Sequence, residues 1–193
     1  MSRASNSTTI ALTKEQHAAT KSVYIWIRRL INMNIYEIIE IIKKDTSCDV
    51  LQPTGFPNLN EGDELPVDIQ QFYNLCGGIH FFKGSEYEFT VVPPQEVVLA
   101  NPVIVGELCE EDISSRWYII CKDTEDNYIT FDSSEERNGR CYDSFWDRHG
   151  VVGECAIVAT NFTDLLINLY KCAGKELFWL SDSFHYLGDA YDE

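Results

Sequence analysis

The apolar rhythm of this chain changes once, at a pair of glycines, and that change restricts the fold more than any other feature. Up to Gly77 and Gly78 the nonpolar residues recur at helical spacing. In "LPVDIQQFYNLCGG", Pro66 suits the first helical position and Asp68 lies near the positive helix end. Ile69, Phe72, Tyr73 and Cys76 form one stripe, and Gly77 is expected in the left-handed position that ends a helix. Upstream, "TKEQ" is a capping box with Thr13 and Gln16, followed by a stripe of Val23, Trp26, Ile27 and Leu30. Asn34 and Glu37 can cap a second helix carrying Ile35, Ile38, Ile39 and Ile42, and "CDVLQPTGFPNLNEGDE" reads as a loop.

Past the glycines come "IHFF", "EYEFTVV", "RWYIICKD", "DNYITFD", "GRCYDSF" and "CAIVA", short runs rich in aromatic and β-branched residues. "WYIIC" is apolar at every position, as in a central strand covered on both faces, whereas "DNYITFD" alternates and predicts one wetter face. Asp123 to Asn127 reads as a hairpin loop, and Phe162, Leu165, Leu166 and Leu169 give a closing helix ended by Gly174. Helices, then antiparallel strands, then a helix predict an α+β domain: an antiparallel or mixed sheet with helices packed mainly on one face. The expected organisation is a disordered terminus over 1–12, a helical extension over 13–33, the main domain over 34–174, and an aromatic and acidic tail over 175–193. Phe178, Trp179, Phe184 and Tyr186 give that tail something to pack with, and Met33 offers an internal start.

Charge decides which partners suit the surface. The net charge of −16 is uneven: residues 1–48 hold seven bases against four acids, which leaves −19 on residues 49–193. Nucleic acid is a poor match, since its binding requires clustered cations; a basic protein partner is the natural complement. Seven cysteines without a Cys-x-x-Cys pair, and four scattered histidines, predict neither a disulfide framework nor a metal centre. No apolar run is long enough for a membrane span and no secretory leader is legible, so a cytoplasmic location is expected. The sequons at Asn6 and Asn161 are then chance matches.

No nucleophile elbow, dinucleotide fingerprint or phosphate loop is present, and no cofactor is expected. "DTEDNYITFDSSEE" resembles a calcium loop through Asp123, Glu125 and Asn127, but Tyr128 and Ser134 stand where glycine and a bidentate glutamate are required. "CYDSFWDRHG" gathers Cys141, Asp143, Ser144, Asp147 and His149, the one set from which a hydrolase using Cys141, Asp147 and His149 could be built. Sequence neighbours seldom converge on one point, so a strand running into an exposed loop is the expected outcome there. The remaining candidates are acidic loops, with Glu110, Glu111 and Asp112 before "WYIIC", Asp123, Glu125 and Asp126 after it, and Glu135 and Glu136 in the next turn. Turns of a meander alternate between sheet ends, so the first and third groups should share one rim and the second should lie on the other.

Together these segments resemble the SUKH superfamily, a group named partly for yeast regulators of cell-wall synthesis. Leu65, Pro66, Asp68, Phe72, Gly77 and Gly78 match its Leu-Pro-x-Asp-Tyr-x-x-Phe-x-x-x-Asn-Gly-Gly signature, with Ile69 in place of Tyr and Cys76 in place of Asn. "WYIICKDTEDNYITFD" resembles its paired strands, "GRCYDSFWD" the next strand, and "IVATNFTDLLINLY" its closing helix, so the likeness covers roughly residues 35–172. The resemblance implies fold-defining roles for the signature residues. It also implies, for bacterial members, a non-catalytic immunity protein that neutralises a cognate toxin, commonly a nuclease; the alternative is a regulatory scaffold with an endogenous partner. On the immunity reading the chain is a monomer or weak dimer whose acidic loops meet a basic toxin.

Overall fold

The computed structural model describes residues 33–192. The disorder expected over 1–12, the helical stretch of 13–33 apart from Met33, and the Asn6 sequon lie outside the described residues. Helix α1 (Ile35–Ile42) has the expected capping box: the Asn34 side chain accepts from the Glu37 amide and the Glu37 carboxylate accepts from the Asn34 amide, each at 3.1 Å. Its four-isoleucine stripe is buried, and it packs on α2 (Val67–Leu75) and α4 (Phe162–Cys172).

Seven strands form an antiparallel sheet in sequence order: β1 (Asp49–Val50), β2 (Ile79–Phe81), β3 (Phe89–Val91), β4 (Trp117–Asp123), β5 (Tyr128–Asp132), β6 (Cys141–Ser144) and β7 (Ile157–Ala159). The six expected strand runs are β2 to β7. The register places Ile79, Val91, Cys121, Ile129, Phe131 and Cys141 on one face, since directly paired and alternate residues point the same way. This face meets α2 and α4. The Tyr73 hydroxyl donates to the Val92 carbonyl at 2.8 Å, and the Phe72 and Phe162 rings meet edge-on at 5.0 Å, a contact worth about 0.5–1.5 kcal/mol beyond its buried area.

The signature residues hold this arrangement together. Asp68 reaches from α2 to the start of α4, where its Oδ2 accepts from the Thr163 amide at 2.8 Å and the Thr163 hydroxyl at 3.2 Å. A carboxylate thus caps a helix 95 positions away in sequence and sits at the positive end of its dipole. Pro66 is the residue flanking α2 rather than its first helical residue, because its ψ of 143° is still extended. The expected left-handed Gly77 is also corrected: α2 ends at the extended Cys76, and Gly78 is the glycine with positive φ (+141°). Gly77 is required by space. A Cβ there would lie 2.1 Å from the Gln52 carbonyl oxygen, because the segment after β1 lies against the glycine pair, with the Gly77 amide donating to Leu51 and the Leu51 amide to Gly78, each at 2.9 Å.

The opposite sheet face carries Trp117, Ile119, Thr130, Asp132 and Tyr142. The wetter face expected for "DNYITFD" is not found on this half of the sheet: Thr130 and Asp132 are both 0% exposed. Helix α3 (Ala100–Ile104), the β6–β7 loop and the C-terminal segment cover them, and their polar atoms are matched. Thr130 pairs with the Ser144 hydroxyl at 2.7 Å. Asp132 accepts from the Trp117 indole (3.0 Å), the Arg137 guanidinium (2.9 Å), the Tyr142 hydroxyl (3.2 Å) and the Ser134 amide (2.8 Å). β4, fourth of the seven strands, is covered on both faces from Trp117 to Cys121. After α4 the chain makes a 3-10 turn at Phe178–Leu180, seating Trp179 against Asp143 with an indole hydrogen bond of 2.8 Å. It then runs beside β7, where Ile157 donates to Gly188 at 3.0 Å and Ala190 donates to Cys155 at 2.8 Å.

Candidate partner-binding site

The meander separates the acidic loops as its topology requires. The β3–β4 and β5–β6 connections leave one end of the sheet, the β4–β5 and β6–β7 connections the other. At the first end, Glu110, Glu111, Glu135 and Glu136 are exposed, and none is engaged by a hydrogen bond or ion pair among the described residues. Asp112 is different: it is half-buried, caps the 3-10 turn Ile113–Arg116 through the Ser114 amide, and accepts from the Tyr191 hydroxyl at 2.8 Å. Those bonds hold its carboxyl below the usual range against the opposing pull of burial.

A third acidic loop joins this rim, and its place could not be read from the sequence. Asp63 is tied to the start of β4 by Arg116 (2.5 Å) and by the Tyr118 hydroxyl, which also accepts from the Asn60 amide at 3.0 Å. Glu61 and Glu64 are therefore carried to the same end and are exposed, as is Glu107. "NEGDE" announced a loop; only the long-range Arg116–Asp63 pair says where that loop goes. The rim stays negative, because Arg116 is paired with Asp63 and Arg137 with Asp132, and Arg140 alone does not offset the exposed glutamates.

On the opposite end, the β4–β5 turn presents Glu125 and Asp126, both exposed. Asp123 shapes this turn: its carboxylate accepts from the Glu125 amide (2.8 Å), the Asn127 amide (2.9 Å) and the Asn127 side chain (2.9 Å). Asp126 completes it in the left-handed region at φ +59°. The calcium-like pattern is thus a hairpin, and no group of three or more His, Cys, Asp or Glu among the described residues is placed to hold a metal ion. Nor does any helix among them have the length and apolarity to cross a membrane.

Cys141, Asp147 and His149 do not converge. Cys141 faces α2 and α4, where burial pushes its thiol up and the Asp68 and Asp164 carboxylates add to the rise, which disfavours the thiolate. His149 lies on the other side of the sheet, its ring edge-on to Trp117 at 5.7 Å, while Trp117 stacks on Tyr142 at 4.2 Å. Cys141 and Tyr142 are strand neighbours and point to opposite faces. The His149 Nε2 is 2.6 Å from the Asn101 side-chain oxygen, and burial holds the imidazole down at about 4. Asp147 is exposed and lies 3.8 Å from Arg148. Asp143 is engaged by Arg148 and Trp179 as a buried anchor.

What the geometry offers is a rigid body with two acidic rims and no assembled catalytic set among the described residues. The sequence profile of the family described as SMI1 / KNR4 family (SUKH-1) matches residues 61–168. The protein named "Immunity protein YokJ" from Bacillus subtilis (strain 168) is 48% identical to this chain over 160 residues, covering 83% of this chain and 97% of that protein. No solved structure matches. The matched span runs from the loop that reaches β4 through Asp63 to the body of α4, and includes the Asp68 bridge and the glycine pair. By profile, by identity and by the placement of its signature residues, the chain belongs to the SMI1 / KNR4 (SUKH-1) family.

Proposed function

We propose that this chain is a non-catalytic immunity protein, acting in the cytoplasm, that binds a cognate toxin and neutralises it, and that the toxin is a basic nuclease domain. The observation that carries the reading is the 48% identity to a protein named as an immunity protein, over 97% of that protein's length and 83% of this chain's. The charge distribution supports the nature of the partner. A nuclease lines its site with cations to hold phosphate, and a body with −19 on residues 49–193 and glutamates grouped on its rims is complementary to such a site. Neutralisation then needs only occupancy: a rigid acidic body over the toxin's basic cleft excludes nucleic acid by charge and by volume.

The test is co-expression with the toxin encoded beside this chain's gene. Growth is restored by the wild-type chain, the two proteins co-purify, and the association rate falls as salt is raised. Reversing charge at Glu110, Glu111, Glu135 and Glu136 in one variant, and at Glu125 in another, reports which rim is used. Failure of the wild-type chain to protect against that toxin overturns the proposal.

A further inference from the structure

The segment "FWDRHG", noted for its chemistry in the sequence, has another property in the structure. The loop from Phe145 to Ala156 turns its inner residues into the domain and its apolar outer residues to solvent. Phe145 is buried against Trp179 at 6.0 Å, and Arg148 pairs with the buried Asp143 while lying 5.2 Å from the Phe145 ring centroid. His149 is sealed against Trp117, and Cys155 is 0% exposed. Successive turns stiffen the backbone, with the Arg148 and His149 amides donating to Phe145 (2.8 and 2.9 Å), Val151 to Arg148 (3.0 Å) and Glu154 to Val151 (3.1 Å). A further bond runs from the Gly153 amide to Asp189 at 3.1 Å. Held on this frame, Trp146 is 77% exposed, Val152 73% and Val151 44%.

A tryptophan this exposed on a loop this well tied gives up its burial with no packing contact in return. Exposed tryptophans on preorganised loops are the side chains that dominate protein interfaces, since they bring a large apolar area and little entropy remains to be lost on binding. The charges around it specify the partner. Asp147 and Glu154 are exposed on the same loop, and its one arginine is neutralised by Asp143. β6 ends at Ser144 opposite Tyr128, so the loop leaves the sheet at the end that carries Glu125 and Asp126. Apolar side chains fringed by carboxylates fit a basic protein surface containing an apolar pocket.

We infer that the β6–β7 loop is the anchor by which the domain grips its toxin, with Trp146 inserted in a pocket of the toxin, Val151 and Val152 beside it, and Glu125, Asp126, Asp147 and Glu154 as the charged fringe. This rests on the immunity reading and selects the rim at the β4–β5 end as the contact.

The test measures binding of the purified toxin domain encoded beside this chain's gene, in an inactivated form, to the wild-type chain and to Trp146→Ala, Val152→Asp and Glu125→Gln. Trp146→Ala weakens affinity about thirtyfold or more, mainly through faster dissociation, with unchanged thermal stability because a ring already exposed in the folded chain contributes little burial to it. Val152→Asp weakens it independently, Glu125→Gln lowers the association rate, and protection of growth falls in the same order. Wild-type binding with Trp146→Ala binding equally well overturns the anchor and leaves the immunity reading standing. A wild-type chain that neither binds nor protects overturns both. A wild-type dimer that Trp146→Ala converts to monomer, with toxin affinity unchanged, assigns the patch to self-association and overturns the anchor.

Discussion

Replacing His149 with glutamine should flatten the acid limb of this protein's stability curve. The imidazole is 5% exposed, its Nε2 faces the Asn101 oxygen at 2.6 Å, and its Nδ1 has no partner among the described residues. Burial lowers its pKa from 6.5 to about 4, and the weaker pull of Asp112 in the other direction does not compensate. Above the unfolded value the ring is neutral in both states and contributes no pH dependence. As pH falls through it, the unfolded chain takes up a proton that the folded chain refuses, and stability drops by about 1.4 kcal/mol per pH unit. The loss reaches about 3 kcal/mol near the folded pKa and then stops growing, because both states carry the proton; that is a large share of the roughly 5–15 kcal/mol that holds a domain folded. Glutamine keeps an N–H donor for Asn101 and cannot titrate. Urea denaturation of both proteins between about pH 7.5 and pH 4.5 gives the difference directly. Carboxylates such as Asp143, which burial holds above its usual range, titrate in both chains and cancel. The wild-type chain should lose stability relative to the variant steadily over this interval; parallel curves would refute the reasoning.

Three further outcomes follow from the packing. Asp132→Leu strands the Trp117 indole, the Tyr142 hydroxyl and the Arg137 guanidinium, and should cost about 3–5 kcal/mol in chemical denaturation, as expected when one partner of a buried ion pair is removed. Asp68→Ala removes one of the two side-chain caps on α4, leaving that of Asn161 on the Asp164 amide, and should cost about 1 kcal/mol, with faster hydrogen exchange at the Thr163 amide as its specific sign. Gly77→Ala places a methyl group against backbone at 2.1 Å and should prevent folding, whereas Gly84→Ala, which meets only open space at φ +77°, should cost about 1–2 kcal/mol from its left-handed backbone alone.

How much of this was legible beforehand depends on the reach of each signal. Local signals read true: the Asn34 and Glu37 box, the isoleucine stripe of α1, the apolar continuity of "WYIIC" and the hairpin at Asp123–Asn127 each depend on neighbours in sequence. The helix end at the glycine pair was misjudged because the constraint is not local. Gly77 is glycine on account of Gln52, which only the folded chain brings to it. Thr130 and Asp132 looked like solvent-facing positions of an alternating strand because nothing in that strand announces α3 or the tail that cover them. α3 and the two-residue β1 carry no periodicity long enough to detect. The acidic rims were half visible: alternation of turns sorted Glu110, Glu111, Glu135 and Glu136 from Glu125 and Asp126, but the strap of Asp63 to Arg116 that adds Glu61 and Glu64 was out of sight. Trp146 lies inside "CYDSFWDRHG" but drew no attention there, since a sequence lists side chains without saying which of them face water.

The segment around Gly188–Ala190 bears on how this domain meets other molecules. An outermost strand with open amides and carbonyls invites a neighbour to continue the sheet, which is a route both to complexes and to aggregates. Here the chain occupies that position on β7 itself, with Ile157 donating to Gly188 and Ala190 to Cys155, while β1 on the far side offers only two residues. Backbone zippering is thereby restricted at the start of β7 and has little length to work with on β1. Side chains on the connecting loops are then the natural points of recognition, and they can change without disturbing the strands that carry them.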